Sequence, residues 1–187
     1  MPDSNITKKA LATALKELMH EVPFERINVA HICEKCDMNR KSFYYHFKDK
    51  YDLVNWIFDT EFITLAKDSV TSVHYDERWA VIERVCIYFY NNRSFYRKAL
   101  KINGQNSFSD HLREYASPLL KIQLSTLIGD DHIDDFAVSF FADAIVCAIE
   151  RWLLDKESMP PEQFVAKLKN QFQRGTVAVY QQMNPEK

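Results

Sequence analysis

Glycine is nearly absent from this chain, at three in 187 residues, and proline is sparse at six. That leaves too little punctuation for the many tight turns of a strand-rich fold, and none of the glycine-rich loops that cradle phosphate groups. No Ser/His/Asp order or paired-carboxylate context stands out, so the sequence offers no enzyme reading. There is no global excess of basic charge either, the net charge being −2. A membrane helix would need about 18 uninterrupted apolar residues. The closest window, 136–154, is broken by Asp143, Glu150 and Arg151. The first twelve residues are polar and charged where a secretory signal needs an apolar run, so the four cysteines are expected as free thiols in a soluble, cytoplasmic protein with no membrane association and no cofactor.

What is present is helix-forming and rich in core material: 47% of residues are hydrophobic and 13% aromatic. The expected fold class is all-α with about nine helices. Ile6, Ala10, Leu11, Ala14, Leu15, Leu18 and Met19 recur at three- and four-residue spacing behind a capping Ser4 or Asn5. Pro23 breaks this first helix and Phe24 returns to the core. Asn28 then caps a second helix over 29–36, and Asp37-Met38 forms a turn with Asp37 in the left-handed conformation. Asn39 caps a very short third helix ending near Phe47.

Two short helices joined by a tight turn form a helix-turn-helix unit, whose second helix enters the DNA major groove. The charge distribution agrees. Residues 1–50 hold nine Lys/Arg against seven Asp/Glu, and residues 38–50 carry Arg40, Lys41, Lys48 and Lys50 against Asp49 alone. Phe43 and Phe47, four apart, share a face that is assigned to the core. Arg40, Lys41, Ser42, Tyr44, Tyr45 and His46 are then left outside. Arg40 and Lys41 suit base edges or phosphates, Ser42 either, and the tyrosine hydroxyls and imidazole suit phosphate oxygens. Lys50, in the first turn of a fourth helix capped by Asp49, suits a phosphate. Asn28 and Asn39, at helix amino ends, complete the candidate DNA-binding set.

The fourth helix is expected to run to about residue 70, with Leu53, Val54, Ile57, Phe58, Phe62 and Leu65 as its stripe. Helices follow over 79–91, over 95–102 with Ser94 as cap, and over 108–128 with a kink or break at Pro118. Residues 133–155 form the most apolar helix, and the segment around Pro160-Pro161 opens a last one over 163–183. Their apolar faces exceed what the other helices need to cover. Phe141, Ile145, Ile149, Trp152, Phe172 and Val179 are therefore expected to build a homodimer interface. The domain expectation is a DNA-binding unit over 1–49 and a helical effector-binding and dimerisation unit over 50–187.

Phe43-Tyr44-Tyr45-His46-Phe47 with Lys50, read with Ile32, Cys33, Cys36 and Leu53, resembles the amino-terminal domain of the TetR/AcrR family of bacterial transcriptional regulators. Asn92-Arg93-Ser94-Phe95-Tyr96 and Arg151-Trp152-Leu153 are similar to a Firmicutes-type carboxy-terminal subgroup that includes regulators of dihydroxyacetone kinase operons. The resemblance implies a dimeric repressor of a palindromic double-stranded DNA operator, controlled by a small-molecule effector bound among helices spanning 79–154. It places Arg40, Lys41 and Ser42 on bases, and Tyr44, Tyr45, His46 and Lys50 on phosphates. The alternative is a regulator that works through a protein partner. Two departures stand out: Asp37 replaces the usual Gly, and Lys41 a small residue.

Other motifs carry less. Cys33-Glu34-Lys35-Cys36 is half of a four-ligand metal site, and free Cys packs as a small hydrophobe. Glu150, Arg151 and Asp143 could line a pocket or pair across a dimer. His74, His111 and His132 are expected to be exposed.

Overall fold

The computed structural model describes residues 4–66, 75–102, 107–129 and 132–183, with side chains described except at 63–66, 75–78 and 176–183. Among the described residues there are nine α-helices and no strand. These are α1 (Ser4–Glu21), α2 (Val29–Lys35), α3 (Arg40–His46), α4 (Lys50–Ala66), α5 (Tyr75–Asn91), α6 (Arg93–Ala99), α7 (Phe108–Ile128), α8 (Asp135–Leu154) and α9 (Pro161–Met183), with a 3-10 turn at Phe24–Arg26. Packing divides the chain into two compact units, Met1–Thr64 with Asn92–His111, and Leu65–Asn91 with Leu112–Lys187. This division differs from the functional boundary expected at residue 50: most of α4 and all of α6 pack with the amino-terminal helices.

In the first unit α1 buries Leu11, Ala14, Leu15 and Met19 of the stripe its spacing predicts, while Ala10 and Leu18 are half-buried and Ile6, in its first turn, is 65% exposed. Phe24 and Ile27 return to the same core at 2% and 1% exposure. Asn28 makes a capping box: its side chain accepts from the His31 amide at 3.0 Å, and the Asn28 amide donates to His31 Nδ1 at 3.4 Å. The turn after α2 is a Schellman motif. The Met38 amide donates to the Cys33 carbonyl at 2.9 Å and the Asp37 amide to Glu34 at 3.4 Å, with Asp37 at φ +52°. Asn39 caps α3 by accepting from the Ser42 amide at 2.8 Å. Asp49 caps α4 by accepting from the Tyr51 and Asp52 amides at 2.9 and 2.8 Å. Leu53, Val54, Ile57 and Phe58 of α4 are buried.

Helix α6 starts two residues earlier than expected. The residue at its cap position is Asn92, not Ser94, and no side-chain cap bond forms there. Phe95, Tyr96 and Ala99 are buried. Glu61 of α4 accepts from both Lys16 of α1 and Tyr96 of α6, which ties three helices to one carboxylate. His111 corrects an expectation of exposure: its side chain is 18% exposed, with Nε2 2.6 Å from Asp59.

In the second unit α5 packs on α9 and α8. Val81, Val85, Cys86 and Phe89 are buried on α5, and Val138, Ala142, Ile145, Val146, Ile149, Trp152 and Leu153 on α8. Trp152 lies flat on Phe164, with centroids 4.5 Å apart and planes 6° apart, and its indole donates to the Met159 carbonyl at 2.8 Å. Helix α7 carries Pro118 within one helical run instead of ending there. Two ion pairs tie it to α8, Arg113–Asp143 at 2.8 Å and Lys121–Asp135 at 3.1 Å.

Candidate nucleic-acid interface

Seven residues of helix have little intrinsic stability, so α3 depends on what holds it. Phe43 is fully buried and Phe47, the residue after the helix, is 3% exposed. Their rings meet at 5.7 Å, and Trp56 of α4 packs on Phe47 at 5.6 Å. With this side anchored, Arg40, Lys41, Tyr44 and Tyr45 are exposed on the opposite one. At 3.6 residues per turn these four span roughly 140° of circumference. Tyr44 and Tyr45 are 58% and 79% exposed. Each adds a ring with a polar hydroxyl tip to this face. Ser42 and His46 are half-buried at the flanks; the Ser42 hydroxyl donates to Asn39 Oδ1 at 3.1 Å. Asn28 and Asn39 remain exposed while capping their helices.

Beside this face lies a cleft of about 560 Å³ lined by Asn28, Ala30, Arg40, Tyr44, Asp49 and Lys50, among others. Lys50 departs from its expected place. Its ammonium is turned inward, donating to the carbonyls of Ile27 at 2.7 Å and Phe24 at 2.8 Å. It also lies over the Phe24 ring at 4.2 Å. Burial lowers its pKa, against the opposing influence of the Glu25 and Asp49 charges. The first turn of α4 abuts the α1–α2 connection, whose carbonyls are a nearer acceptor than solvent.

The residues expected to form the dimer interface are mostly used elsewhere. Ile145, Ile149, Trp152 and Phe172 are buried within the second unit, at 5–6% exposure, and Phe141 is half-buried against Phe172 at 5.3 Å. The side chain of Val179 lies outside the described ones. The exposed apolar stripe of α8 is on its other face: Phe136 at 75%, Phe140 at 59% and Leu154 at 37%, with exposed Ala144 and half-buried Cys147 between. Apolar residues occupy both the buried face of α8 and this exposed one, so periodicity does not separate the two.

Of the remaining candidates, Asp143 is paired with Arg113, Arg151 is exposed, and Glu150 Oε1 is buried without a hydrogen-bond partner among the described residues. Cys33 is buried and Cys36 half-buried, and burial raises both thiol pKa values. The Cys36 thiol donates to the Ile32 carbonyl at 3.2 Å. Residue 74 lies outside the described residues, and His132 is exposed. Among the described residues no helix is long and apolar enough to cross a membrane.

Residues 11–57 match the family model for bacterial regulatory proteins of the tetR family, and residues 77–174 match that for a transcriptional regulator C-terminal region. The chain is similar to the HTH-type dhaKLM operon transcriptional activator DhaS of Lactococcus lactis subsp. lactis (strain IL1403), at 29% identity over 155 residues and 81% of each chain. Solved structures share its fold. The dihydroxyacetone kinase operon activator DhaS aligns with TM-score 0.61 at 23% identity, covering 92% of this chain and 97% of the other. A TetR-family regulator from Syntrophomonas wolfei aligns with TM-score 0.68 at 15% identity, covering 92% and 96%. NalD of Pseudomonas aeruginosa, named as a secondary repressor of a multidrug efflux pump, aligns with TM-score 0.64 at 16% identity, covering 92% and 98%. The second match alone spans more than half of the 187 residues, and with the exposed basic and aromatic face of α3 it settles the family: the chain belongs to the TetR family of bacterial transcriptional regulators, which are DNA-binding proteins and not enzymes.

Proposed function

We propose that this protein acts as a homodimer on a palindromic operator, with α3 of each protomer in a major groove and a small-molecule effector bound in the second unit. The observation that carries the reading is the outer face of α3, where Arg40, Lys41, Tyr44 and Tyr45 stand exposed on a helix pinned by Phe43 and Phe47. Arg40 and Lys41 read base edges, while Tyr44, Tyr45 and the flanking His46 and Ser42 hold the backbone. Residues 1–49 form the DNA-reading domain and 50–187 the effector-binding and dimerisation domain. The α8 stripe of Phe136, Phe140, Ala144, Cys147 and Leu154 is the dimer face that supersedes the one expected from sequence, because two exposed phenylalanines one turn apart on a soluble helix call for cover. The unpartnered Glu150 Oε1 favours an effector that carries a hydrogen-bond donor.

The sign of control follows the DhaS relatives. The sequence expectation of repression gives way to activation, supported by the operon activator that shares 29% identity over most of both chains. A mobility-shift assay on the duplex upstream of the protein's own gene tests the reading, with the oligomer followed by light scattering. A shifted complex of dimer stoichiometry is expected. Folded dimer that gives no shift at low salt would favour action through a protein partner instead.

A further inference from the structure

The end of α1 and its connection to α2 present carbonyl groups with acceptor capacity to spare, that of Phe24 even while it accepts the Ile27 amide at 3.0 Å. Two ammonium groups collect them. Lys98 of α6 donates to the carbonyls of Met19, of Val22 at 3.3 Å and of His20 at 3.5 Å. Lys50 of α4 donates to those of Ile27 at 2.7 Å, Phe24 at 2.8 Å and Glu25 at 3.5 Å. An ammonium has three protons, and each lysine faces three carbonyls, one of them at 3.5 Å. Together they hold six carbonyls between Met19 and Ile27, three each. This stretch leads into α2, whose Schellman turn fixes where α3 begins. All these groups lie within the first compact unit.

We propose that Lys50 and Lys98 are positioning residues, a two-lysine latch that fastens the α1–α2 connection to α4 and α6 and thereby sets the direction in which α3 is presented, and that Lys50 is not a phosphate contact. A phosphate could draw the Lys50 ammonium out only by stripping it of three carbonyls and of the Phe24 ring beneath it. The lowered pKa of Lys50, set chiefly by desolvation, agrees with the half-buried place its hydrogen bonds give it. The binding arm of the test rests on α3 as the DNA-reading helix; the arm on free protein does not.

The test has two arms. In free protein labelled with nitrogen-15 at lysine, NMR should show two ammonium signals in slow exchange with water, one lost in Lys50→Met and the other in Lys98→Met. Fast exchange of both would overturn the latch. In the second arm, affinity for the own-promoter duplex is measured against salt, where each phosphate contact contributes about 0.9 to the log-log slope. Lys50→Met and Lys98→Met should each bind roughly tenfold more weakly with the slope unchanged. Lys50→Arg should resemble Lys50→Met, since a longer, planar guanidinium does not fit the seat of a compact ammonium among these carbonyls but could keep a phosphate. Near-wild-type binding by Lys50→Arg, with a slope lowered by about 0.9 in Lys50→Met, would restore the phosphate role and overturn the proposal. If the wild-type protein binds no duplex, the DNA-reading role of α3 fails, and the ammonium signals still decide the latch.

Discussion

The amide of Met38 donates to the carbonyl of Cys33 at 2.9 Å, closing the turn that aims α3 away from α2. The bond spans Asp37, held at φ +52°. A left-handed backbone costs an L-residue roughly 1–2 kcal/mol, and Asp bears it better than most.

Asp37→Gly should therefore stabilise the protein, by about 0.5–1 kcal/mol once the entropy of Gly in the unfolded chain is deducted. Urea unfolding measures it. Asp37→Val should destabilise, because a β-branched side chain is poorly tolerated at this φ. Equal stability of the three proteins would refute the strained-turn account.

Arg40→Ala should relax base preference at one position per half-site and cost about 1–3 kcal/mol on the preferred duplex. Tyr44→Phe, which removes only a hydroxyl, should weaken binding to all duplexes alike. Fluorescence anisotropy on matched and scrambled duplexes separates the two outcomes, and the same loss on both for Arg40→Ala would remove it from base reading.

The two faces of α8 should respond differently to substitution. Phe136→Asp with Phe140→Asp should shift the protein from dimer to monomer in sedimentation while leaving its helicity intact, as both rings are exposed. Trp152→Ala, which empties the stack against Phe164, should cost about 3–5 kcal/mol in folding. A dimer that survives the double substitution would place the interface elsewhere.

Cys86 should give a pH signature. Its thiol is fully buried and its pKa is pushed up to about 12, chiefly by desolvation and further by the Glu83 carboxylate. Above pH 9 the unfolded chain loses this proton while the folded one keeps it, so stability falls as pH rises from 9 to 12. The slope approaches about 1.4 kcal/mol per unit. Cys86→Ala should flatten that decline, and the native thiol should resist alkylation at pH 8. Rapid labelling of Cys86 in folded protein would contradict its burial.

The helix-turn-helix was legible because its signals are local. Asn28, Asn39 and Asp49 each cap the helix that follows, and the four-residue spacing of Phe43 and Phe47 marks the anchored side of α3. What the sequence hid depends on distant partners. Nothing near Lys98 announces that its ammonium reaches the end of α1, 79 positions away, and Lys50 carries the pattern of an anion-binding first turn while bonding to carbonyls 23 and 26 positions upstream. His111 carries no local sign of burial because Asp59, its partner, is 52 positions away. In α8 apolar residues occupy both the buried face and an exposed one, so periodicity does not say that Ile149 faces in and Phe140 out.

Selection from a pool of randomised duplexes with the purified protein tests the central claim most directly. The account predicts a twofold-symmetric consensus whose half-site centres lie one helical turn, about 34–36 Å, or a multiple of it apart, and a broadened consensus with Arg40→Ala. Recovery of an unselected pool, or of a consensus without twofold symmetry, would contradict it.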